Sequence, residues 1–517
     1  MSSLNLEKQL PKNIKMNLIA FILKILIGLY LTPYLIKYLG ISAYGLIMIA
    51  LFLSQYINII IQSINSSINR FLLVAIQKKS SDEAITIYSS SFFMIILFMF
   101  FQSLIMIVIL FNLNSIFSIP LELFNDTLWL FSLTFLGYTL SLIRGSVCAP
   151  IYANNRLDLL KNIEMVEILS RFILIVVFFN FFEANLIYVG IANLISSIIS
   201  MIMAIYYKTF FEKYLKIRIS SIDIEIIKKL ISMSGWVLIS QVAFLIFLKV
   251  DILLINKFMG ADISGEYAIV VQVVTLIRTM ATVLAGVITP VIMIYYANNE
   301  IDKLISLSKM SILLMGVLLS VPLGILAGFS GEILDLWVGK EFNHLSIFIS
   351  ISMIPLILNL SILPLLSINT AYNKVKLPAL VSLGLGLLYV ILLLLTLKYT
   401  LFGILGVIII NGLILTAKNS IFTPLYASYI LKIEKLAFFK YQMIAMSFFT
   451  LSFIISYLLN FAVDNTLSFI IAFFLSLFIS LTLALSYLYK NEEMTLLNNY
   501  ILKKLKLPIK TKKEINE

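Results

Sequence analysis

Long apolar runs broken by short polar reversals recur along the whole chain. A helix that crosses a bilayer needs roughly 20 mostly apolar residues. By that measure the pattern predicts about fourteen spans, near residues 14–36, 43–65, 86–111, 127–150, 161–182, 186–207, 230–256, 265–293, 304–327, 345–369, 377–397, 402–430, 437–460 and 466–489. The fold class expected is therefore an all-α membrane protein. The apolar run from Ile14 is long enough to be kept as a span rather than cleaved as a leader.

The polar punctuation repeats at the scale of half the chain. Tyr-Leu-Gly-Ile-Ser-Ala-Tyr-Gly at 38–45 closes one span and opens the next, and Phe-Met-Gly-Ala-Asp-Ile-Ser-Gly at 258–265 does the same 220 residues later, Gly40 against Gly260. Ile-Tyr-Ala-Asn-Asn-Arg at 151–156 and Thr-Ala-Tyr-Asn-Lys at 370–374 keep that offset through Tyr152 and Tyr372. Gly190 and Gly406 are offset by 216. Six spans thus map onto six in the same order. An even number gives both copies the same orientation, a parallel repeat with the substrate site expected between them. The boundaries that follow are an N-terminal six-helix bundle 1–207, a linker 208–229, a C-terminal six-helix bundle 230–433, an extra helix pair 434–489 and a basic tail 490–517. The Ile-Asp-Ile-Glu-Ile-Ile-Lys-Lys-Leu pattern of the linker predicts a short amphipathic helix on the inner membrane surface. Pro33, Pro150, Pro290, Pro355, Pro364 and Pro424 fall within spans and predict kinks.

Composition supports the membrane class: 61% of the 517 residues are hydrophobic and 12% charged, against roughly 25% charged in soluble domains. A single cysteine, Cys148, excludes a disulfide framework within the chain, and a single histidine, His344, speaks against histidine-based metal or triad chemistry. The net charge of +12 raises the question of nucleic acid, and its distribution answers it. With the N-terminus inside, 28 Lys and Arg fall in inner segments and only Lys37, Lys257, Lys340 and Lys398 in outer ones. That asymmetry predicts a multi-pass protein of the cell membrane with both termini cytoplasmic. It accounts for the charge without a nucleic-acid partner. The outer stretch 328–344 carries Asp335, Trp337, Lys340 and Glu341 and reads as an interfacial Trp anchor or a surface for sugar.

Six basic residues remain inside spans: Lys24, Arg144, Arg171, Lys249, Arg278 and Lys418. The acids there are Glu164, Glu167 and Asp251. Each charge at the centre of a span costs about 2.5–3.5 kcal/mol on insertion scales, so these side chains need partners, an interface to snorkel to, or a wet cavity. Glu167 and Arg171 are four apart with Glu first, the favourable order on one helix. Lys249 and Asp251, two apart, point to nearly opposite sides. Asp251 and Arg278 differ in depth by about 10 Å at the helical rise, which argues against a direct pair. The basic excess predicts an anion-binding cavity lined by Lys24, Arg144, Arg171, Arg278 and Lys418, with Asp251, Glu167 and Lys249 as pairing or coupling groups. No span holds a nucleophile triad, phosphate loop or metal-ligand cluster, so a transporter rather than an enzyme is expected. It needs no cofactor, and any coupling is to a Na+ or H+ gradient or to the substrate's own gradient.

The junction at 38–45, the Val-Asp-Ile-Leu-Leu-Ile…Met-Gly…Gly-Glu-Tyr pattern at 250–267, and the Ala-Asn-Asn-Arg and Ala-Tyr-Asn-Lys turns resemble the Wzx-type O-antigen and polysaccharide flippases of the multidrug/oligosaccharidyl-lipid/polysaccharide exporter superfamily. The resemblance covers the first twelve spans, to about Ile433. It implies a MATE-like, V-shaped arrangement of two six-helix bundles, alternating access, and carriage of undecaprenyl-pyrophosphate-linked oligosaccharide from the inner to the outer leaflet. It also implies a place beside polysaccharide polymerase machinery. It assigns pyrophosphate and acidic sugar to Lys24, Arg144, Arg171, Arg278 and Lys418, and matches Asp251 and Arg278 to the acid and base of spans seven and eight. Two departures stand out. The extra C-terminal pair is more typical of lipid II flippases and some polysaccharide exporters, where it lines a groove for the lipid tail. The arginine-rich first span of lipid II flippases is absent, leaving Lys24 alone. The competing readings are a lipid II-type flippase, a cation-coupled multidrug exporter, disfavoured by a basic interior and acid-free first two spans, and a membrane-embedded glycosyltransferase or polymerase. The last is disfavoured because no loop exceeds about twenty residues, too short for a catalytic outer domain.

Overall fold

A computed structural model describes residues 3–77, 80–154, 156–211, 215–372 and 374–491. The expectations for the tail 490–517 and for the side chain of Lys249 concern positions outside the described ones, Lys490 and Asn491 apart. The described residues are helical almost throughout. Apolar runs of this length can satisfy their backbone within lipid only by internal helical hydrogen bonds.

The long helices are α1 (Ser3–Leu39), α2 (Ile41–Gln77), α3 (Ser81–Phe111), α4 (Phe124–Ala153), α5 (Leu157–Phe181), α6 (Leu186–Lys208), α7 (Ile224–Met259), α8 (Ala261–Ala297), α9 (Ile301–Gly328), α10 (Ser346–Ser361), α11 (Lys376–Tyr399), α12 (Gly403–Leu415), α13 (Thr423–Leu431), α14 (Phe439–Asn460) and α15 (Thr466–Lys490). Among the described residues, eleven helical segments are both long and apolar enough to cross a membrane. The expected fourteen is not reached on that measure. The other three expected spans coincide with the long helices α2, α5 and α7.

The chain forms two compact units, Met1–Ala268 and Ile269–Glu517. In the first, α4 and α6 approach closely through small residues. A side chain at Gly137 would stand 3.0 Å from Ser197 Oγ and 3.2 Å from the Asn193 carbonyl. Asn193 donates to Thr134 Oγ1 at 3.2 Å. Such small-residue contacts let helix backbones pack in lipid, where the hydrophobic effect gives little drive. Helices α1 and α5 meet through an aromatic ladder, Tyr30 edge-on to Phe172 and Tyr34 stacked on Phe179. Among its described residues the linker makes no separate amphipathic α-helix. Its backbone N–H groups at Arg218 and Asp223 donate to Ser89 and Ser90 of α3 at 3.0 and 2.9 Å. Asp223 then caps α7 by accepting from the Glu225 N–H at 2.7 Å. The amphipathic pattern is the polar start of one continuous helix, because a good N-cap leads straight into an apolar run.

The repeated junctions meet within this first unit. Gly40 and Gly260 each turn the chain with φ of +83° and +97°, a conformation that favours glycine. The helices that follow cross at equivalent residues. A side chain at Gly265 would stand 2.3 Å from the Ile41 carbonyl oxygen, and one at Gly45 2.8 Å from that of Ala261. Ser42 donates to Asp262, its own counterpart 220 residues on.

In the second unit, α9 and α14 lie against each other along Gly316, Gly324 and Gly328, which face Ala445, Ser452 and Ser456. Tyr441, Ala472, Ala484 and Leu488 share a core with Ile312, Val317 and Phe329, so the helix pair beyond the repeat is built into this unit. The proline signals resolve differently. Pro355 lies within α10, whereas Pro364 sits in a 3-10 turn at Leu363–Leu365. Pro424 follows a π-helical turn at Thr416–Phe422 that joins α12 to α13.

Candidate functional site

In the first unit Arg144, Glu167 and Arg171 form one network. Arg144 of α4 donates to Glu167 of α5 and to Ser200 of α6. Arg171, one turn after Glu167, stands 3.9 Å from the other carboxylate oxygen. Spacing alone favoured the Glu167–Arg171 pair. The fold gives the close contact to Arg144, because a facing helix aims its guanidinium across the gap, whereas an i,i+4 pair contributes only a few tenths of a kcal/mol. Tyr138 lies against Arg171. Lys161 donates to Glu164 at 2.7 Å, and Lys24 of α1, itself exposed, is within electrostatic reach of the same carboxylate. Lys24, Arg144, Lys161 and Arg171 are thus gathered around two acids, Glu164 and Glu167.

The second unit differs. Arg278 of α8, half-buried, makes no ion pair among the described residues. Lys418 lies close enough to Arg278 for the two charges to repel. Two cations near each other on two apolar spans add like-charge repulsion to the cost of placing each charge in a span.

Lys418 sits in the π-helical turn. Both the backbone N–H and the hydroxyl of Thr423 bond to its carbonyl, the latter at 3.0 Å. Pro424 explains the turn: it has no N–H for the carbonyl four residues back, that of Ser420, and its ring clashes there. Gln442 of α14, buried, donates to that carbonyl at 3.1 Å. π turns inside helices are often found at functional sites.

Asp251 is buried in the first unit. Tyr267 donates to it at 2.5 Å, and the Ile252 N–H at 2.9 Å. Sequence reasoning missed Tyr267, although it sits in the motif quoted for the resemblance. It also missed Ser200, Tyr138 and Gln442, which have no charge to draw notice.

At the Ala-Asn-Asn-Arg turn, outside the expected spans, Arg156 grips Asp158 through two hydrogen bonds of 2.9 Å. Gln9 donates to the same carboxylate at 2.7 Å, and Asn13 accepts from the Asp158 N–H at 2.9 Å. Burial works against the charge, but the hydrogen bonds and charge of Arg156 hold the Asp158 carboxyl below its ordinary range. This clasp ties the start of α1 to the α4–α5 turn. Among the described residues no group of three His, Cys, Asp or Glu could hold a metal ion.

The helical fold is one that solved structures share. A structure of the lipid II flippase MurJ in an inward closed conformation matches with a TM-score of 0.65 at 15% identity, over 91% of this chain and 98% of that one. An inward-facing multidrug resistance MATE family transporter of the MOP superfamily matches at 0.61 and 13% identity, over 80% and 96%. The eukaryotic MATE transporter AtDTX14 matches at 0.60 and 12% identity, over 86% and 99%. These likenesses define the fold as MATE-like.

The model of the family described as polysaccharide biosynthesis protein matches residues 10–295, more than half of the chain, and the chain belongs to that family. It is 28% identical over 435 residues, 83% of this chain and 85% of the other, to the uncharacterized membrane protein EpsK of Bacillus subtilis strain 168.

Proposed function

We propose that the chain is a flippase that moves a polyprenyl-pyrophosphate-linked oligosaccharide, an undecaprenyl-linked O-antigen or other surface polysaccharide repeat unit, across the cytoplasmic membrane by alternating access. The observation that carries this reading is the Arg278–Lys418 pair. Two cations on two apolar spans, within electrostatic reach of each other, fit a compact dianion such as pyrophosphate. The Arg144–Glu167–Arg171 network, balanced by its acids and flanked by Ser200 and Tyr138, offers donors and acceptors suited to sugar hydroxyls. Lys24 adds an exposed cation nearby. The 28-to-4 distribution of basic residues supports cytoplasmic termini. Asp251, with Tyr267 as donor, is the group proposed for coupling to Na+ or H+. Partners in this reading are the lipid-linked substrate, the bilayer and the polymerase machinery that receives the product.

The test is a clean deletion in a strain with no paralogue. Lipid-linked repeat units are expected to accumulate on the cytoplasmic leaflet, and complementation with Arg278→Glu should fail at near-normal protein level. Normal surface polysaccharide in the deletion strain would sink the reading. Trapped lipid II in place of repeat units would assign it to the lipid II class, which shares the pyrophosphate linkage.

A further inference from the structure

We infer that Gln442, on the first helix beyond the repeat, is a positioning residue for Lys418 and thereby part of the anion-selective headgroup site. This deepens, and rests on, the reading of Arg278 and Lys418 as the seat of the pyrophosphate.

The chain of causes starts in the sequence. Pro424 cannot supply the N–H that the Ser420 carbonyl would receive in an α-helix, and its ring pushes that carbonyl aside. The turn Thr416–Phe422 opens to π geometry, and a buried carbonyl is left to be satisfied. Leaving it bare costs about 1–3 kcal/mol. Gln442, 3% exposed, brings its amide to that carbonyl at 3.1 Å. Thr423 closes the other side by bonding the Lys418 carbonyl with its hydroxyl at 3.0 Å. The two contacts fix the backbone on either side of Asn419 and so fix where the Lys418 side chain leaves the helix. Lys418 is thereby held within electrostatic reach of Arg278.

Gln442 is also out of place for its own helix. α14 is predominantly apolar and crosses as a candidate span. A buried amide there is costly unless it is bonded. The backbone-close packing of α14 on α9, with a side chain at Gly324 meeting Ser452 Cβ at 2.6 Å, gives Gln442 a rigid platform. The helix pair outside the repeat therefore reaches the cation site itself as well as the unit's core.

The experiment uses the full chain in detergent and compares binding of geranylgeranyl diphosphate with that of geranylgeraniol, which has the same tail and no charge. Wild type should prefer the diphosphate, and Lys418→Met should reduce that preference about tenfold or more, the loss of one desolvated charge contact. Gln442→Met, similar in volume without the donor, should reduce it roughly three- to tenfold, the size of one net hydrogen bond, with geranylgeraniol binding unchanged. In a Lys418→Met background, Gln442→Met should have no further effect on the preference, the non-additivity expected of residues acting through one group. Should Gln442→Met fail to fold, Gln442→Asn, which keeps a polar amide but is too short to reach the Ser420 carbonyl, answers the same question.

The outcomes separate the two levels. A wild type with no preference for the diphosphate, or a Lys418→Met variant that keeps it, overturns the site reading. A Lys418→Met variant that loses the preference beside a Gln442→Met variant that keeps it overturns this inference alone. Additive losses in the double variant, or equal weakening of diphosphate and alcohol, do the same.

Discussion

At the residue scale, identical side chains have different meanings in the two units. Arg144 and Arg171 share Glu167, while Arg278 lies within electrostatic reach of Lys418. The sequence could name all four, because a charge in an apolar run stands out at sight. It could not say which charges would meet, since that depends on which helices face each other. Asp251 illustrates the same limit. Its donor, Tyr267, lies sixteen residues on, across the glycine turn. Tyr267→Phe should therefore leave a buried carboxylate short of a hydrogen bond and destabilise the protein by about 1–3 kcal/mol, read as a lower midpoint in thermal unfolding. Asp251→Asn, which keeps an acceptor for Tyr267, should cost less. The Arg156–Asp158 clasp gives a pH prediction. The Asp158 carboxyl is held below its ordinary range when folded, so its contribution is present above about 3.9, the unperturbed value, and is lost as pH falls through the lower folded value. Asp158→Asn should thus lower the unfolding midpoint at pH 7, and the difference from wild type should shrink in the acid range below pH 4.

At the element scale, the positions of helices were readable from hydrophobic runs, and the way each helix is interrupted was not. Pro355 and Pro424 gave the same signal in sequence. One lies inside a continuous helix. The other stands after a π turn, and the Ser420 carbonyl that it frees is taken up by Gln442 of another helix. The linker pattern was ambiguous for a related reason: an amphipathic segment and the polar start of a long helix look alike until the capping of Asp223 and the Ser89 and Ser90 contacts are known. Helix contacts give a matched test. Gly324→Ala places a methyl group 2.6 Å from Ser452 Cβ and 2.8 Å from the Phe449 carbonyl oxygen, and should cost about 1–3 kcal/mol as overpacking. Gly286→Ala, with nothing within 4 Å, should be neutral or stabilising by up to about 1 kcal/mol from helix propensity. Equal unfolding midpoints for the two variants would contradict the α9–α14 packing.

At the scale of the whole molecule, the two glycine junctions 220 residues apart in sequence cross in space. Ser42 and Asp262, equally offset, are hydrogen-bonded to each other. In a Cys148→Ser background, the pair Ser42→Cys and Asp262→Cys should form a disulfide on mild oxidation, seen as a mobility shift reversed by reductant. A pair displaced by one helical turn, Ser42→Cys with Glu266→Cys, should form it much less. Failure of the first pair to cross-link would remove the crossing.

The sequence by itself determined the membrane class and the helical content. Each of these follows from local composition and from the cost of burying a backbone or a charge in lipid, which any stretch of chain incurs alone. Only the tertiary structure decided the pairings: Arg144 over Arg171 for Glu167, Tyr267 for Asp251, Gln442 for the carbonyl that Pro424 leaves open, and the junctions meeting at Gly45 and Gly265. Those depend on which helix faces are brought within a few ångströms of each other. That is set by small residues and turns whose effect is felt only once the helices have packed.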